Sequence, residues 1–95
     1  MEENKYIYIS VQPFDFTQTI YTIQDGLCSN TEQITNDKLV DYMITNPLKH
    51  IKLDGPPDFL KGFVKKIKKA EASKYGKNDI NIEYNKRGEW NIWNI

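Results

Sequence analysis

Residues 50–85 read HIKLDGPPDFLKGFVKKIKKAEASKYGKNDINIEYN, and this stretch decides the fold because it predicts a strand, a long helix and a second strand. The apolar residues of its middle part recur at steps of three and four, the spacing of one stripe on a helix. They are Phe59, Leu60, Phe63, Val64, Ile67 and Ala70. The opposite side is basic and carries Lys61, Lys65, Lys68 and Lys69. We therefore predict a helix over residues 58–75 that packs its apolar stripe on a sheet.

The ends of this helix and the strands beside it also have local signals. Asp58 follows two prolines and is predicted to be the N-cap, while Gly76 follows the last turn, where a left-handed residue commonly ends a helix. Residues 50–53 are half apolar, and residues 80–85 alternate between apolar and polar, which is typical of half-buried strands. The connection between the two strands is long enough for a crossover, so we expect them to be parallel.

The remaining elements follow from the same kind of pattern. In chain order they are strands over residues 6–11, 17–23 and 27–34, a helix over 37–45, and a final strand over 89–95. Asp25-Gly26 predicts a tight type I′ turn between the second and third strands. The sequence thus predicts a single α+β domain over residues 1–95. It would contain one mixed β-sheet of five to six strands and two helices, in the order β-β-β-α-β-α-β-β.

The first seven of these elements resemble the RNase H-like fold in their order, a three-stranded meander followed by two helix-strand units. The resemblance is one of topology and rests on no sequence motif. Enzymes of that fold hold divalent metal with clustered acidic residues. The resemblance places one aspartate in the middle of the first strand, where this chain has Ser10, and a carboxylate at the end of the fourth strand, where it has Asp54. One carboxylate does not hold a pair of metal ions, so we expect the nuclease site to be missing.

Composition narrows the class of protein. The hydrophobic fraction of 39% supplies one modest core. There is no run of 18 apolar residues for a membrane span, and the polar start MEENKY is unlike a secretory signal peptide. Cys28 is the one cysteine, which excludes an intrachain disulfide and a cysteine-based zinc site. We expect a cytoplasmic protein in a reducing setting.

The sequence offers no catalytic constellation. His50 is the one histidine, and neither a nearby serine nor a second cysteine accompanies it, so we interpret it as a surface or strand-edge residue. Cys28 follows a hairpin turn and is predicted to be a small buried apolar group. The turn at residues 55–58 precedes a helix, but its prolines and acids favour capping over anion binding. We therefore predict no catalytic residue, no metal, no cofactor and no enzyme activity.

Charge is divided unevenly between the two halves of the chain. Residues 1–47 hold seven acids against two lysines, a net charge of −5, and residues 48–95 hold eleven Lys and Arg against six acids, a net charge of +5. The basic side of the long helix is a candidate nucleic-acid surface, defined by Lys61, Lys65, Lys68 and Lys69. Arg87 is the one arginine, so the contact would be with phosphates more than with base edges. The alternative is that these lysines form a solvated helix face.

The C-terminal strand is the candidate surface for a protein partner. We place it at the rim of the sheet, where an edge strand leaves backbone groups unpaired. Trp90 and Ile92 are predicted on one face and Trp93 on the other, and we expect Trp93 to be the more exposed ring. Association would be with a target strand or with a second copy of the chain. The alternative is a bent C-terminus in which both rings pack.

These observations lead to one functional hypothesis and two alternatives. We hypothesise a small non-enzymatic interaction protein of the accessory or inhibitor type, as bacteria and their phages encode. The frequency of Ile, Asn and Lys also suggests an AT-rich genome. The first alternative is a nucleic-acid-binding module that uses the lysine side of the long helix. The second is a degenerate RNase H-like protein that lacks its metal site.

Overall fold

The computed structural model describes residues 5–93, which form one six-stranded sheet and two helices. In chain order the elements are β1 (Lys5–Ser10), β2 (Thr17–Gln24), β3 (Leu27–Thr35), α1 (Asn36–Thr45), β4 (His50–Asp54), α2 (Pro57–Tyr75), β5 (Asn81–Lys86) and β6 (Glu89–Ile92). The predicted α+β class and element order are confirmed. Asn94 and Ile95, predicted as the end of the last strand, lie outside the described residues.

The sheet is mixed, with the strand order β3-β2-β1-β4-β5-β6. β1 pairs antiparallel with β2 and parallel with β4, which in turn pairs parallel with β5. The β2–β3 and β5–β6 pairs are antiparallel. The predicted parallel pairing of the strands on either side of α2 is therefore confirmed. β1 is central, in keeping with its β-branched and aromatic sequence.

Two tight turns close the antiparallel hairpins. Asp25 and Gly26 both have positive φ, 53° and 81°, as the predicted type I′ turn requires. Arg87 and Gly88 have φ values of 55° and 84° and join β5 to β6 in the same way. The second hairpin is tighter than the sequence predicts, since β5 continues through Lys86. This short connection holds β6 directly beside β5.

The helix ends correct one prediction and support another. α2 begins at Pro57 with Pro56 as the N-cap, so Asp58 lies within the first turn and is not the cap. Proline is suited to that first position because its missing N–H has no helical partner there. At the other end Gly76 has a φ of 70°, the left-handed conformation predicted for it. α1 has Thr35 as its N-cap and no side-chain capping bond.

The core lies between the two helices and one face of the sheet. Leu60, Val64 and Ile67 of α2 are fully buried, as are Ile51 and Leu53 of β4 beneath them. α1 adds its own apolar stripe, and β1, β2 and β5 supply the rest of the floor. Among residues 5–93, every helix is too short or too polar to cross a membrane. The fold is thus two layers, with one face of the sheet covered by helices.

Candidate functional site: the open face of the sheet

The second face of the sheet carries a row of large side chains that neither α1 nor α2 covers. Along β1, Ile7 and Ile9 are buried beneath the helices, whereas Tyr6 and Tyr8 point the other way and are half-buried. The same alternation continues through β4 and β5, as expected for pleated strands. We call this surface the open face and define it by Tyr6, Tyr8, Tyr21, His50, Lys52, Asp54, Glu83, Trp90 and Ile92. Its members come from β1, β2, β4, β5 and β6, with β1 and β4 at the centre of the sheet.

Tyr8 is the centre of an aromatic cluster on the open face. Its ring centroid lies 6.0 Å from that of Tyr21 on β2, with which it is paired in register. On the other side its centroid lies 5.9 Å from that of Trp90, in an edge-to-face arrangement. β1 and β6 are three strand spacings apart, about 14 Å, so the Tyr8 and Trp90 rings must lean towards each other across β4 and β5. The rings therefore lie over the sheet instead of standing out from it.

Lys52 lies between the aromatic rings in the middle of the open face. Its Nζ is 4.5 Å from the centroid of the Tyr6 ring and 5.1 Å from that of Trp90. Both distances are within the range of cation–π attraction. Lys52 is paired in register with Tyr8 on β1 and with Glu83 on β5. One lysine thus links aromatic residues from the two halves of the sheet.

Hydrogen bonds fix the polar ends of the open face. The Tyr8 hydroxyl donates to Oδ2 of Asp54 at 2.9 Å, and His50 Nε2 is hydrogen-bonded to Oε2 of Glu83. Burial of the phenol, together with the bond to the Asp54 carboxylate, raises the pKa of Tyr8 to about 12. Tyr8 therefore remains a neutral donor throughout the physiological range. These hydrogen bonds hold the side chains of the open face in place.

The open face has little net charge. Lys52 is opposed by Asp54 and Glu83, and His50 adds a positive charge only when it is protonated. Ser10 is paired in register with Asp54, the two positions at which the RNase H-like resemblance would place acids. Within residues 5–93, no group of three or more His, Cys, Asp or Glu side chains is arranged to hold a metal ion. The chemistry offered by this face is stacking and hydrogen bonding.

β6 forms one edge of the sheet, as predicted. The Trp93 N–H donates to the Ile82 carbonyl at 2.8 Å, which makes residues 82 and 93 a hydrogen-bonded pair. Because such pairs alternate along an antiparallel ladder, the backbone groups of Trp90 and Ile92 point away from β5. Ile92 is 63% exposed and lies beside these free groups on the open face. The edge therefore offers two N–H and two C=O groups next to an apolar side chain.

The structure places the two tryptophans on opposite faces of the sheet, and both rings are half-buried, so neither is distinguished as the more exposed ring. Trp93 lies on the helix side, packs against the core, and meets the Tyr84 ring edge-on at a centroid distance of 4.8 Å. Trp90 lies on the open face with Ile92. Of the three residues predicted to bind a partner, the structure places Trp90 and Ile92 together and leaves Trp93 on the other side of the sheet.

The lysine side of α2 is on the opposite side of the molecule from the open face. Lys61, Lys65 and Lys69 are exposed, and Lys66 adds a fourth exposed amine on the same helix. Lys68 departs from the prediction, since it is half-buried and its Nζ donates to the Ile80 carbonyl. Lys68 thus anchors α2 to the start of β5, and the solvated lysine surface consists of the other three predicted residues with Lys66.

Sequence reasoning missed several features that the structure brings together. The sequence predicted the strand that carries Tyr6 and Tyr8, but it did not indicate that Lys52 and Trp90 would join them. Cys28, predicted to be buried, is exposed on β3. Phe14 and Phe16 lie in the loop between β1 and β2 and are almost fully exposed. Their signal was apolar residues inside a stretch of turn formers, Gln12-Pro13-Phe14-Asp15-Phe16.

Comparison with protein-family models, with curated proteins and with solved structures finds no significant match to this chain.

Proposed function

We propose that this protein is a binding protein that docks a partner protein on the open face and pairs a partner strand with β6. The observation that carries the proposal is the aromatic cluster of Tyr6, Tyr8, Tyr21 and Trp90 on a sheet face that the helices leave uncovered. Tyrosine and tryptophan supply large contact area at a low cost in conformational entropy, and they are enriched at interface hot spots.

The size of the open face suits a protein interface. Six strands at about 4.8 Å spacing span about 24 Å. A standard specific interface buries about 800 Å² on each partner, and a flat patch of that width and similar height covers about 580 Å², so the edge of β6 would supply the remaining contact. The half-buried rings form the apolar centre, and the Tyr8–Asp54 and His50–Glu83 bonds leave polar groups at the rim. This is the arrangement of an interface with an apolar core and a polar rim.

The outer edge of β6 indicates where a partner strand would pair with the sheet. The outward N–H and C=O groups of Trp90 and Ile92 match an extended segment of a partner, which would add a seventh strand to the sheet. Side chains of that strand would alternate, so that every second one lies on the open face beside Trp90. Backbone pairing supplies affinity in this arrangement, and the aromatic cluster supplies specificity.

The slightly acidic charge of the open face, one lysine against two carboxylates, distinguishes this mode of binding from nucleic-acid binding. Lys52 lies among Asp54 and Glu83, so a polyanion gains little there. Binding through stacking and backbone pairing should change only modestly with salt, whereas phosphate binding falls steeply as salt rises. Salt dependence therefore separates the two functions before the partner is identified.

The test is affinity capture at physiological salt, with and without nuclease, using matched variants. Tyr21→Ala with Trp90→Ala removes two rings of the cluster, and the control Lys65→Gln with Lys69→Gln alters the opposite side of the molecule. The proposal expects a protein captured by the parent and the control but lost from the ring variant, with nuclease making no difference. Thermal melting of each variant shows whether it is folded. Capture that survives the ring changes, or that needs nucleic acid, contradicts the proposal.

A second candidate function is nucleic-acid binding through α2. The observation in its favour is four exposed lysines along one helix: Lys61, Lys65, Lys66 and Lys69. No ion pair to another described side chain is found at any of these four lysines. Contact would be with the phosphate backbone, and so it would not depend on sequence.

A further inference from the structure

The loop between β1 and β2 displays two phenylalanine rings in solvent. Phe14 is 97% exposed and Phe16 is 89% exposed, the two highest values among the exposed large hydrophobic residues of the described chain. Asp15 lies between them and is also exposed. Single exposed apolar residues are ordinary on protein surfaces, but two adjacent bulky rings on one loop suggest an interaction site. We call residues 14–16 the projection.

The projection is held by an ordered loop. Gln18, 3% exposed, receives a hydrogen bond from the Gln12 N–H at 2.9 Å and donates to the Gln12 carbonyl at 2.7 Å. At the start of α1, the Asn36 side chain donates to the Asp15 carbonyl and the Asn36 N–H donates to the Phe16 carbonyl, at 2.5 and 2.9 Å. These bonds fix the backbone on both sides of Phe14. The loop backbone that carries the two rings is therefore ordered before binding, which lowers the entropy cost of association.

A groove of matching character lies next to the projection. It has a volume of about 250 Å³ and is open to solvent between the first turns of α1 and α2. Its apolar lining includes Pro13, Leu39, Val40, Phe59 and Phe63. The Phe59 and Phe63 rings stack on each other with centroids 6.3 Å apart, and Phe59 is itself 40% exposed.

Charge distinguishes the projection from the groove. The projection carries the Asp15 carboxylate, while the groove is lined by Lys66. No hydrogen bond or ion pair is found between the Asp15 carboxylate or the Lys66 amine and another side chain of the described residues. An acidic apolar projection and a basic apolar groove on one surface are complementary to each other.

We propose that the groove receives the projection of a second copy of this chain, so that two protomers exchange projections about a two-fold axis. A two-fold interface requires one patch that is complementary to itself, and the projection and groove together form such a patch. Asp15 of each protomer then pairs with Lys66 of the other. This interface lies on the helix side and leaves both open faces accessible.

The contact has the size of a weak, reversible dimer. A phenylalanine ring buries about 150 Å² when it is fully covered, so four exchanged rings remove about 600 Å² from water. Each groove is small, about 250 Å³, and loses less surface than the two rings it receives. The total therefore stays below the roughly 1,200 Å² at which standard specific interfaces begin. We expect a reversible dimer that is populated at high protein concentration.

Sedimentation of charge variants tests the proposal. Asp15→Lys alone and Lys66→Glu alone each place like charges at both contacts, so each variant should sediment as a monomer at concentrations where the parent is a dimer. An equimolar mixture of the two restores opposite charges at both contacts and should form a heterodimer. The double variant Asp15→Lys with Lys66→Glu should dimerise again. Lys65→Glu, a neighbouring exposed lysine outside the groove, is the control and should remain a dimer.

Truncation of the rings gives an independent check. Phe14→Ser with Phe16→Ser should abolish the dimer without lowering the melting temperature measured for the monomer, because both rings are in solvent there. A parent that is monomeric across the accessible concentration range overturns the proposal. So do single charge variants that dimerise as well as the parent, or a mixture that remains monomeric.

Discussion

Glu71 is the residue whose surroundings differ most from those its chemistry prefers. It lies on α2 with no exposed surface, its Oε2 accepts the Asp79 N–H at 3.3 Å, and its Oε1 has no hydrogen-bond partner among the described residues. Burial raises the pKa of the Glu71 carboxyl, and the neighbouring Asp79 carboxyl acts in the same direction. Lys77, Lys49 and Tyr75 face the same region. Glu71 is therefore stabilised in its protonated form.

This environment predicts how stability changes with pH. The folded protein holds the Glu71 proton above the pH at which the unfolded chain loses it, so stability falls as pH rises from the ordinary glutamate pKa, near 4.3, through the raised folded pKa. Glu71→Gln removes this dependence and keeps the shape. Chemical denaturation of both proteins between pH 4 and 8 should show the variant gaining stability over the parent as pH rises. If the free energies of unfolding of the two proteins change in parallel with pH, the fold does not disfavour the ionised form of Glu71.

Single residues also show that local sequence predicts backbone conformation at turns better than it predicts the exposure of side chains. Gly76 and the Asp25-Gly26 turn were predicted correctly because the required φ depends on the residues themselves. Cys28 and Lys68 were not, because their exposure depends on elements far away in the chain: Lys68 is half-buried only since its amine reaches the Ile80 carbonyl. A helical stripe of lysines carries no information about such a contact.

At the scale of elements, α2 is divided between a packed stripe and a solvated one. Ile67 is fully buried in the middle of the helix, whereas Phe63 is half-buried at the edge of the groove. From the sequence alone, Phe63 and Ile67 were predicted to pack equally, because both fall on the apolar stripe. The structure distinguishes the two residues because Phe63 lies at the groove between α1 and α2. The position of α1 beside α2 is a tertiary contact that the pattern of one helix does not contain.

The difference gives a stability prediction for α2. Ile67→Ala should cost about 2–5 kcal/mol, as truncations of fully buried aliphatic side chains do. Phe63→Ala should cost less than Ile67→Ala, because part of the ring already contacts solvent. Lys65→Ala, on the exposed side, should stay within about 0.5 kcal/mol of the parent. Urea unfolding of the three variants gives the order, and a Phe63 loss as large as that of Ile67 would show that the groove is closed in solution.

The exposed lysines of α2 make the second candidate function measurable. Replacing Lys61, Lys65, Lys66 and Lys69 with Gln should leave folding nearly unchanged. If α2 binds nucleic acid, affinity for duplex DNA or RNA should fall, and the slope of log affinity against log salt should flatten by roughly 0.9 for each lost phosphate contact on duplex DNA. Titration of the parent at low salt comes first. A parent without measurable binding there identifies the lysines as a solvated helix face.

The edge strand β6 can be tested without disturbing the core. Ile92→Lys places a charge on an exposed position of the edge, a device by which natural edges resist strand pairing. We expect stability within about 0.5 kcal/mol of the parent and a marked loss of partner capture. The comparison variant is Trp93→Ala, which should lower stability because Trp93 packs on Tyr84. Capture unaffected by Ile92→Lys would mean that the partner does not pair with β6.

Periodicity predicted nearly all elements of the fold, but the candidate site depends on their order across the sheet. Tyr8 and Trp90 are neighbours only because β4 and β5 insert between β1 and β6 and both rings lean inward. The predicted edge position of the C-terminal strand is confirmed, because the tight hairpin places β6 beside β5 on the side away from β4. The face of β6 that the helices cover was not determined by the alternation in residues 89–95, so the sequence did not indicate that Trp93 packs against the core.

At the scale of the whole molecule, the open face is separate from two further surfaces, which meet at Lys66. The open face lies on one side of the sheet, the lysines of α2 lie on the other, and the projection and groove lie beside the first turns of the two helices. A dimer formed through the projection would therefore present two open faces. Such a dimer would bind a repetitive or dimeric partner more tightly than one protomer does, because the second contact is intramolecular.

The most direct test of the central claim is site-specific photo-crosslinking in the cells that produce the protein. A photoreactive phenylalanine analogue replaces Tyr21 on the open face in one protein and Lys65 on α2 in another. The account predicts a covalent adduct with a partner protein from position 21 and little or none from position 65, with the adduct mass above that of two copies of this chain. Adducts from position 65 alone, or equal yields at both positions, would contradict the assignment of the open face as the binding surface.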